Sequence, residues 1–268
     1  MADSTGERTA ELLVLGCGTS TGVPVPGCTC PVCTSDNPKN QRLRTSAYIS
    51  VRDQGGFLID ASPDLRAQIL REKVTQVDGV FYTHAHADHV LGTDDLRVFN
   101  FRRSEPIPCY GSDETLQNLA RIFEYIFSPN PLYEGGALAK LTRKTILPYE
   151  EFELSGVKVM PFELYHGKLP VLGLRIGELS YATDCNTIPD KARDVIRGSK
   201  VLFLDGLRYE PHPTHFSIDD AVASAQSLEV EQTYLIHMTH NIDYDEVDSK
   251  LPNGVNLAYD GLRVPFKI

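Results

Sequence analysis

The sequence predicts an α/β protein in which two β-sheets stack face to face and helices cover the outer surfaces. Two observations support this architecture. An early pair of short apolar segments reads as a hairpin, and the later apolar segments alternate with amphipathic stretches of helical length. Because a sheet must bury its apolar face against another layer, this order of elements favours packed sheets with helices outside.

The predicted strands are short apolar runs that end in polar or Gly-rich turns, at 11–15, 44–52, 56–59, 77–83, 157–164, 173–176, 180–183, 201–204 and 233–237. Gln54-Gly55-Gly56 makes or widens the hairpin turn. The predicted helices are 62–72, 115–127, 190–197 and 218–228. Ser62 as N-cap and Pro63 in the first turn begin the first helix. Ser217 with Asp220 forms a capping box at the last one.

Residues 1–268 are expected to form a single domain, in which the stretch from 99 to 150 is the irregular part. This stretch carries several Pro and Gly residues, one predicted helix, and the aromatic residues Phe123, Tyr125, Phe127 and Tyr133. Two interpretations stay open. It forms a lid or a dimer surface, or it is an ordinary surface excursion.

Composition indicates a globular protein with a small ligand. The chain has 268 residues, a net charge of -10, and no apolar run of the ~20 residues that span a bilayer. Its polar N-terminus lacks the apolar stretch of a secretory signal, so a cytoplasmic location without a membrane partner is expected. The acidic balance disfavours a large RNA or DNA partner, because such binding draws on phosphate neutralisation by a basic face.

The strongest motif is Thr83-His84-Ala85-His86-Ala87-Asp88-His89, which follows a predicted strand. In extended chain, His84 and His86 project to the same side, while Asp88 and His89 follow where a helix should begin. Imidazole and carboxylate ligands together suit zinc, manganese or iron. Further ligand candidates stand at the ends of later strands, where polar side chains gather at one rim of a sheet: His166, Asp184 and His237.

A second group of metal-ligand type is Cys28-Thr29-Cys30-Pro31-Val32-Cys33. A disulfide framework would spread its cysteines in pairs, so this triplet favours metal binding. Three thiolates need a fourth ligand to complete tetrahedral zinc. Cys17, Cys109 and Cys185 stand alone, and Cys185 is expected to pack rather than react.

The histidine motif resembles the H-x-H-x-D-H signature of the metallo-β-lactamase fold hydrolases, and the resemblance spans nearly the whole chain, to Ala258-Tyr259-Asp260-Gly261. It implies an αββα sandwich of two mixed sheets with helices on the outer faces and two divalent metal ions, manganese or zinc, at one edge. The ligands implied for the first ion are His84, His86 and His166, those for the second are Asp88, His89 and His237, with Asp184 as the bridge and Asp60 as a buried aspartate that orients them.

Within this superfamily, C-x-C-x-x-C followed late in the chain by H-x-x-H resembles the PhnP-type cyclic phosphodiesterases. Here the late pair is His237-Met238-Thr239-His240. The resemblance implies that His240 completes a structural zinc site with the three cysteines. It also implies that the chain hydrolyses small cyclic phosphates, either ribose cyclic phosphate or 2′,3′-cyclic nucleotides. Dimers are common in the resembled family, so a homodimer is a further expectation.

His215 and the ligand Asp88 are the predicted catalytic residues. His215-Phe216-Ser217 resembles an H-x-[S/T] motif that superfamily phosphodiesterases use near the scissile phosphate. A metal-bridged hydroxide would attack phosphorus, and His215 would protonate the leaving oxygen, as general acids typically do with a ~10²–10⁴-fold gain. His212 has no motif support and is expected to be a loop residue.

Two other functions stay open. A tRNA 3′-processing nuclease shares the histidine motif and the H-x-[S/T] histidine, but normally carries a basic Gly-rich arm and lacks the cysteine triplet. A PqqB-like protein of cofactor biosynthesis shares the triplet and would bind metal without turnover. Thiolesterase or lactamase chemistry is also compatible with the fold.

Overall fold

The computed structural model describes residues 8–52, 54–129 and 135–268. Their strands, in chain order, are β1 (Thr9–Gly16), β2 (Ser46–Val51), β3 (Gly55–Ile59), β4 (Val80–Phe81), β5 (Ile107–Gly111), β6 (Leu141–Thr145), β7 (Phe152–Leu154), β8 (Val157–His166), β9 (Leu169–Ile176), β10 (Leu179–Ala182), β11 (Val201–Asp205), β12 (Gln232–Ile236), β13 (Val255–Leu257) and β14 (Arg263–Lys267). They form two seven-stranded sheets, ordered β14-β1-β2-β3-β4-β5-β6 and β13-β12-β11-β10-β9-β8-β7. Both sheets mix antiparallel with parallel pairs.

The helices in the described ranges are α1 (Leu65–Glu72), α2 (Ala87–Val90), α3 (Arg97–Asn100), α4 (Asp113–Ile122), α5 (Glu124–Phe127), α6 (Asp190–Ile196), α7 (Ile218–Leu228) and α8 (Tyr244–Asp248), with 3-10 turns at Pro38–Asn40 and Thr93–Leu96. Helices α1 and α4 pack on the first sheet, and α6 and α7 pack on the second. None of the helices described is long and apolar enough to cross a membrane.

Strand β1 shows why the layers stack in this way. Leu12 and Val14 face the apolar cluster between the two sheets, whereas Leu13 and Leu15 face the cluster between the first sheet and its helices. Successive side chains of a strand point to opposite faces, so a run of consecutive apolar residues such as 12–15 needs an apolar cover on both faces. The predicted αββα sandwich is therefore confirmed.

The first predicted helix begins later than expected. Its N-cap is Asp64 and not Ser62, and the helix runs from Leu65 to Glu72. The Ser62 hydroxyl accepts a hydrogen bond from the Asp64 amide at 3.2 Å, which forms a turn before the helix. The Asp64 carboxylate in turn pairs with Arg44. The prediction of Ser62 as N-cap was therefore wrong, because a tertiary ion pair fixed the position of Asp64.

The predicted helix over 115–127 is divided, because Phe123 takes a non-helical conformation between α4 and α5. The predicted lid or dimer stretch, 99–150, supplies β5 and β6 to the first sheet, so part of it belongs to the sandwich. One aromatic residue assigned to it, Tyr133, lies outside the described residues. The lid and dimer interpretations stay predictions.

The predicted strand 77–83 is shorter than expected, since β4 ends at Phe81. Beyond it, the amide and the hydroxyl of Thr83 each donate a hydrogen bond to the buried Asp60 carboxylate, both at 2.8 Å. These bonds replace sheet pairing and direct the following residues towards the edge of the sandwich. Asp60 itself has φ 59°, a left-handed conformation that non-glycine residues adopt at a cost of order 1 kcal/mol or more.

Candidate metal and catalytic site

Three histidines form the first ligand group. The imidazoles of His84, His86 and His166 offer ligand atoms that all lie within 4.8 Å of one another. His84 Nε2 and His86 Nδ1 are 2.9 Å apart. His166 reaches them from the end of β8 in the other sheet, and its Nδ1 donates a 2.9 Å hydrogen bond to the Thr214 carbonyl. Because Nδ1 is used in this bond, Nε2 of His166 is available as the ligand atom.

Asp88, His89, Asp184 and His237 form the second group, again within 4.8 Å of one another. Asp184 Oδ2 lies 3.1 Å from His89 Nε2 and 3.2 Å from His237 Nε2. The same oxygen is 3.8 Å from His84 Nε2, in the first group. Asp184 therefore stands between the two groups, as a bridging ligand would.

Local backbone positions these side chains. Asp88 and His89 belong to the short α2, which begins immediately after His86, whereas Asp184 and His237 follow β10 and β12. His237 has φ 64°. Strained backbone of this kind persists where surrounding contacts fix it, and it clusters at functional sites.

The buried Asp60 carboxylate supports the second group. Its Oδ2 accepts a 2.7 Å hydrogen bond from His89 Nδ1, which turns His89 Nε2 towards Asp184. Burial raises the pKa of Asp60, while His89 opposes that shift. A carboxylate behind a ligating imidazole fixes the ring and its tautomer, and such partners commonly change metal affinity or activity 10–100-fold when removed.

Burial and neighbouring charges shift the pKa values of both ligand groups. Burial lowers the pKa of His84, His86 and His166, so these imidazoles are neutral near pH 7. Burial alone would raise the pKa of Asp184 and Asp88, but the imidazoles of His237 and His89 hold both well below their usual range. Neutral imidazoles and ionised carboxylates are the forms that bind metal. Although burial opposes the shift, the carboxylates of Asp184 and Asp60 raise the pKa of His89 well above its usual value, so binding of metal there would release a proton. The converging donor atoms therefore fit a pair of divalent ions.

His215 lies against both groups. Its ring centroid is 4.5 Å from that of His166 and 4.7 Å from that of His237. His215 Nδ1 donates to Asp205 Oδ2 at 2.6 Å, and the side chain is buried. Burial lowers the pKa of His215 and raises the pKa of Asp205. The hydrogen bond at Nδ1 thus fixes the imidazole and leaves Nε2 available to interact with a substrate.

Asp205 was missed by the sequence reasoning. It is the last residue of β11, at the rim where the other site residues gather, and it also accepts a 2.8 Å hydrogen bond from the Cys185 amide. The signal was present, because Asp205 ends an apolar strand in the same way as Asp184 follows one. Nothing in the sequence indicated that Asp205 would lie within hydrogen-bond distance of His215.

The cysteine triplet forms a separate group with His240. The Sγ atoms of Cys28, Cys30 and Cys33 lie 3.4, 3.4 and 3.5 Å from His240 Nδ1. A hydrogen bond from the Cys33 amide lowers the pKa of Cys30 to about 6, which favours its thiolate form. Three cysteines and one histidine form the donor set of tetrahedral structural zinc.

The remaining cysteines and His212 lie outside these groups. Cys17, Cys109 and Cys185 are buried free thiols. Burial raises the pKa of each of them, and a raised pKa makes a thiol inert. His212 lies in a loop with its ring 5.1 Å from that of His215.

A buried arginine ties the two metal-type sites together. Arg42 is 1% exposed and donates to the carbonyls of Thr239 at 3.1 Å and Ile242 at 2.7 Å. These carbonyls flank His240, while Met238 pairs with Cys17 at 3.0 Å on the other side. The segment 237–240 therefore carries one residue of each site on a braced stretch of backbone.

Comparison with known proteins agrees with this geometry. The beta-lactamase superfamily domain matches residues 56–238, most of the chain. The chain belongs to the metallo-β-lactamase superfamily of metal-dependent hydrolases, as the histidine motif implied.

Within the superfamily, the resemblance is to the PhnP family. A crystal structure of a new diphosphatase from that family shares 40% identity with this chain over 97% of its length and 98% of the other, with a TM-score of 0.90. An octanoyltransferase of Porphyromonas gingivalis is 36% identical over 93% of this chain, and the chain spans about half (50%) of that relative.

Two more distant structures share the fold alone. Zinc-bound PqqB from Methylobacterium extorquens is 20% identical, covers 95% of this chain and 99% of its own, and has a TM-score of 0.77. The short form of human tRNase Z is 16% identical, covers 95% and 98%, and has a TM-score of 0.66.

Proposed function

We propose that the protein hydrolyses a phosphodiester bond in a small substrate, with two divalent ions held by the histidine and aspartate groups. The observation that carries this proposal is the His215–Asp205 pair beside both ligand groups. A thioester needs no such group, because a thiolate leaves readily without a proton. Departure of an alkoxide from phosphorus gains from such a proton donor.

The division of roles follows from the residues. Two divalent ions, when bound, supply an activated water and neutralise charge on phosphate oxygens. His84, His86 and His166 would hold one ion, Asp88, His89 and His237 would hold the other, and Asp184 lies where it could reach both. His215, held at Nδ1 by Asp205, would deliver a proton from Nε2 to the leaving oxygen, and because burial lowers its pKa, the protonated ring would give that proton up readily. Zinc or manganese would satisfy this donor set.

Small cyclic phosphates are the preferred substrates. The chain carries a net charge of -10, which suits a substrate whose charge is met by the two ions rather than by a basic surface. The likeness to the PhnP family supports the same class. On this proposal, the substrates are free ribose cyclic phosphates or 2′,3′-cyclic nucleotides, and they are not part of a large nucleic acid.

A diphosphate is the second candidate substrate, and one observation favours it. The 40% identical member of the PhnP family is a diphosphatase. A P–O–P linkage presents the same phosphorus centre to the ligand groups, but its leaving group is a phosphate, which needs less help from His215. The two candidates therefore differ in how strongly turnover depends on that histidine.

We further propose a structural zinc at Cys28, Cys30, Cys33 and His240. The PqqB-like alternative has the triplet too, but the intact pair of ligand groups and His215 support turnover rather than binding alone. The net acidic charge argues against the tRNA-nuclease alternative. A homodimer and a cytoplasmic location stay predictions.

A hydrolysis screen with metal analysis tests the proposal. The purified protein would be offered ribose cyclic phosphate, 2′,3′-cyclic AMP, bis(p-nitrophenyl) phosphate, a dinucleoside diphosphate, pre-tRNA and a thioester, with manganese and zinc quantified. We expect the phosphodiesters to be turned over and about three metal ions per chain. Turnover of the thioester alone, or no more than one ion per chain, would refute the proposal.

A further inference from the structure

Two buried atoms beside the second ligand group have no hydrogen-bond partner in the described parts of the chain. They are Nδ1 of His237 and Oδ1 of Asp205. His237 is 2% exposed and Asp205 is fully buried, so solvent does not satisfy either atom. A buried polar group without a partner is costly, and most such groups in native proteins are paired. Each of the two atoms therefore needs a partner within the protein interior.

His237 differs in this respect from the candidate ligands His89 and His166, whose Nδ1 atoms are bonded to an oxygen. The Nε2 atom of His237 lies 3.2 Å from Asp184 Oδ2 and 3.5 Å from Asp88 Oδ2, so Nε2 is its candidate ligand atom. In a neutral imidazole that binds metal through one nitrogen, the other nitrogen carries the proton. Nδ1 of His237 is then a buried donor that needs an acceptor.

The Asp205 carboxylate can supply that acceptor. Its Oδ2 accepts hydrogen bonds from His215 Nδ1 at 2.6 Å and from the Cys185 amide at 2.8 Å, whereas its Oδ1 accepts none. Asp205 and His237 belong to a buried group, completed by Asp184 and His215, whose ligand-type atoms all lie within 4.8 Å of one another. Because an ionised carboxylate accepts hydrogen bonds on both oxygens, Oδ1 is available to His237.

The backbone and the rings place the two imidazoles beside the same carboxylate. Asp205 ends β11 opposite Ile236, the last residue of the parallel strand β12, and His237 follows directly. The rings of His215 and His237 are stacked, with centroids 4.7 Å apart and planes inclined by 12°. Nearly parallel rings at this spacing can each direct one nitrogen at a different oxygen of one carboxylate.

The cavities beside the site lie elsewhere. A cavity of about 260 Å³ between α4 and the start of β9 is lined by His84 and His86, and one of about 560 Å³ is lined by His215. Neither of these two cavities is lined by Asp205 or His237. A substrate in either cavity therefore leaves the two unpartnered atoms to each other.

We propose that Asp205 is a positioning residue for the second metal ion as well as for the proton donor, with Oδ1 accepting a hydrogen bond from His237 Nδ1 in the metal-loaded protein. The inference rests on the two-ion site of the proposed function. One buried carboxylate would then fix both His237 and His215. Its contact with His237 would support the ion in the same way as the contact between Asp60 and His89. Loss of Asp205 should therefore weaken metal binding, and not only proton transfer.

Manganese titration of protein that keeps its structural zinc measures this effect without turnover. Thiolates select zinc over manganese, so manganese reports on the histidine and aspartate groups. We expect Asp205→Ala to weaken the binding of one ion by about 10–100-fold, the usual effect of losing a partner behind a ligating imidazole. His215→Ala is the matched control and should stay within about twofold of wild type, because His215 is not a proposed ligand. Affinity is the quantity to measure, since saturating metal would conceal the loss in kcat.

A double-mutant cycle excludes an indirect route through Cys185, whose amide donates to Asp205 and which follows Asp184 in the chain. In the His237→Ala background, Asp205→Ala should cause no further loss of manganese affinity, because the partner of Oδ1 is already gone. A loss as large as that in the wild-type background would assign the effect to Cys185 and overturn the inference.

NMR of zinc-loaded protein with isotope-labelled histidine observes the bond directly. We expect a hydrogen-bonded Nδ1 proton of His237, assigned by its loss in His237→Ala, that persists in His215→Ala and is absent in Asp205→Ala. The Nδ1 proton of His166, bonded to the Thr214 carbonyl, is the internal control for correct folding and should remain in every variant. Absence of the His237 proton in the wild-type protein, or its persistence in Asp205→Ala, would overturn the inference.

Failure of this inference is distinguishable from failure of the proposed function. Fewer than two manganese ions per wild-type chain would refute the two-ion site itself. Two ions bound with equal affinity by the wild-type protein and by Asp205→Ala would overturn only the role of Asp205 at His237.

Discussion

Single residues set the chemistry of the site by fixing which nitrogen of each imidazole is free. In four histidines, Nδ1 is hydrogen-bonded to an oxygen acceptor, namely His84 to Thr83 Oγ1, His89 to Asp60, His166 to Thr214 and His215 to Asp205. Their Nε2 atoms therefore face the cluster, available for metal binding or, in His215, for proton transfer. The tautomers are chosen by neighbours that neither bind metal nor touch substrate.

His215→Ala is expected to lower turnover most where the leaving group is a poor one. On 2′,3′-cyclic AMP, whose leaving group is an alkoxide, kcat should fall by about 10²–10⁴-fold, the usual contribution of a general acid. On bis(p-nitrophenyl) phosphate the fall should be smaller, because nitrophenolate leaves without a proton. Steady-state kinetics on both substrates, with metal content measured in parallel, checks this.

The control for this variant is His212→Ala. His212 is the neighbouring histidine, but it lies in a loop and has no bond to Asp205. Its replacement should leave both rates within about twofold of wild type, as expected for a residue outside the proposed machinery. Equal losses in the two histidine variants, or an unchanged rate for His215→Ala, would remove His215 as the acid.

Asp205→Ala should act through His215. The carboxylate is fully buried and accepts from His215 Nδ1, so its removal frees the ring to rotate. We expect kcat on 2′,3′-cyclic AMP to fall about 10–100-fold, the usual range for a partner that orients a functional side chain. The double variant with His215→Ala should be no slower than His215→Ala alone, since residues acting as a unit are not additive. Independent, multiplying losses would contradict this positioning role.

At the scale of elements, strand ends explain how much of the site the sequence could predict. His166, Asp184 and His237 were selected because they end or follow apolar strands, and the structure gathers them with the histidine motif. The structure shows that these residues lie close together, whereas their roles as metal ligands stay predictions. The start of α1 was predicted wrongly, because the contact between Asp64 and Arg44 is a tertiary event that local capping rules do not contain.

Replacing Cys30 by Ser tests the link between the two metal-type sites. The variant should lose about one zinc per chain, because a neutral hydroxyl is a poor substitute for a thiolate. It should also unfold at a lower denaturant concentration, since His240 and the segment 237–240 lose an anchor. The effect on the catalytic ligands should be indirect, through His237. Elemental analysis and urea unfolding measure the two effects.

Thr29→Ala is the matched control, an exposed substitution in the same loop. It should keep the full metal content and the wild-type unfolding midpoint. If Cys30→Ser retained all of its zinc, the triplet would be a set of reduced thiols and the structural site would not exist.

For the whole molecule, the sequence predicted the layers better than the cavities. Apolar strands that need covers on both faces lead to a four-layer sandwich by general packing rules, and two seven-stranded sheets with outer helices are what the chain forms. The cavity beside His84 depends on where α4 lies against β9, two elements more than 40 residues apart in sequence. Neither the helical periodicity nor a motif within α4 indicates how closely α4 approaches β9.

Because each ligand group draws on both sheets, metal should stabilise the whole sandwich. His84 follows a strand of the first sheet, whereas His166 and His237 come from the second. A ligand that binds only the folded state adds about 2.7 kcal/mol at a concentration 100 times its Kd. In a protein of this size, such a change corresponds to roughly 5–10 °C in Tm. We therefore expect chelation by EDTA to lower Tm by several degrees and zinc or manganese to restore it. Cys30→Ser, without the structural zinc, should still lose several degrees on chelation, because the catalytic pair remains. If chelation of that variant left its Tm unchanged while removing its metal, the ions would not join the two sheets.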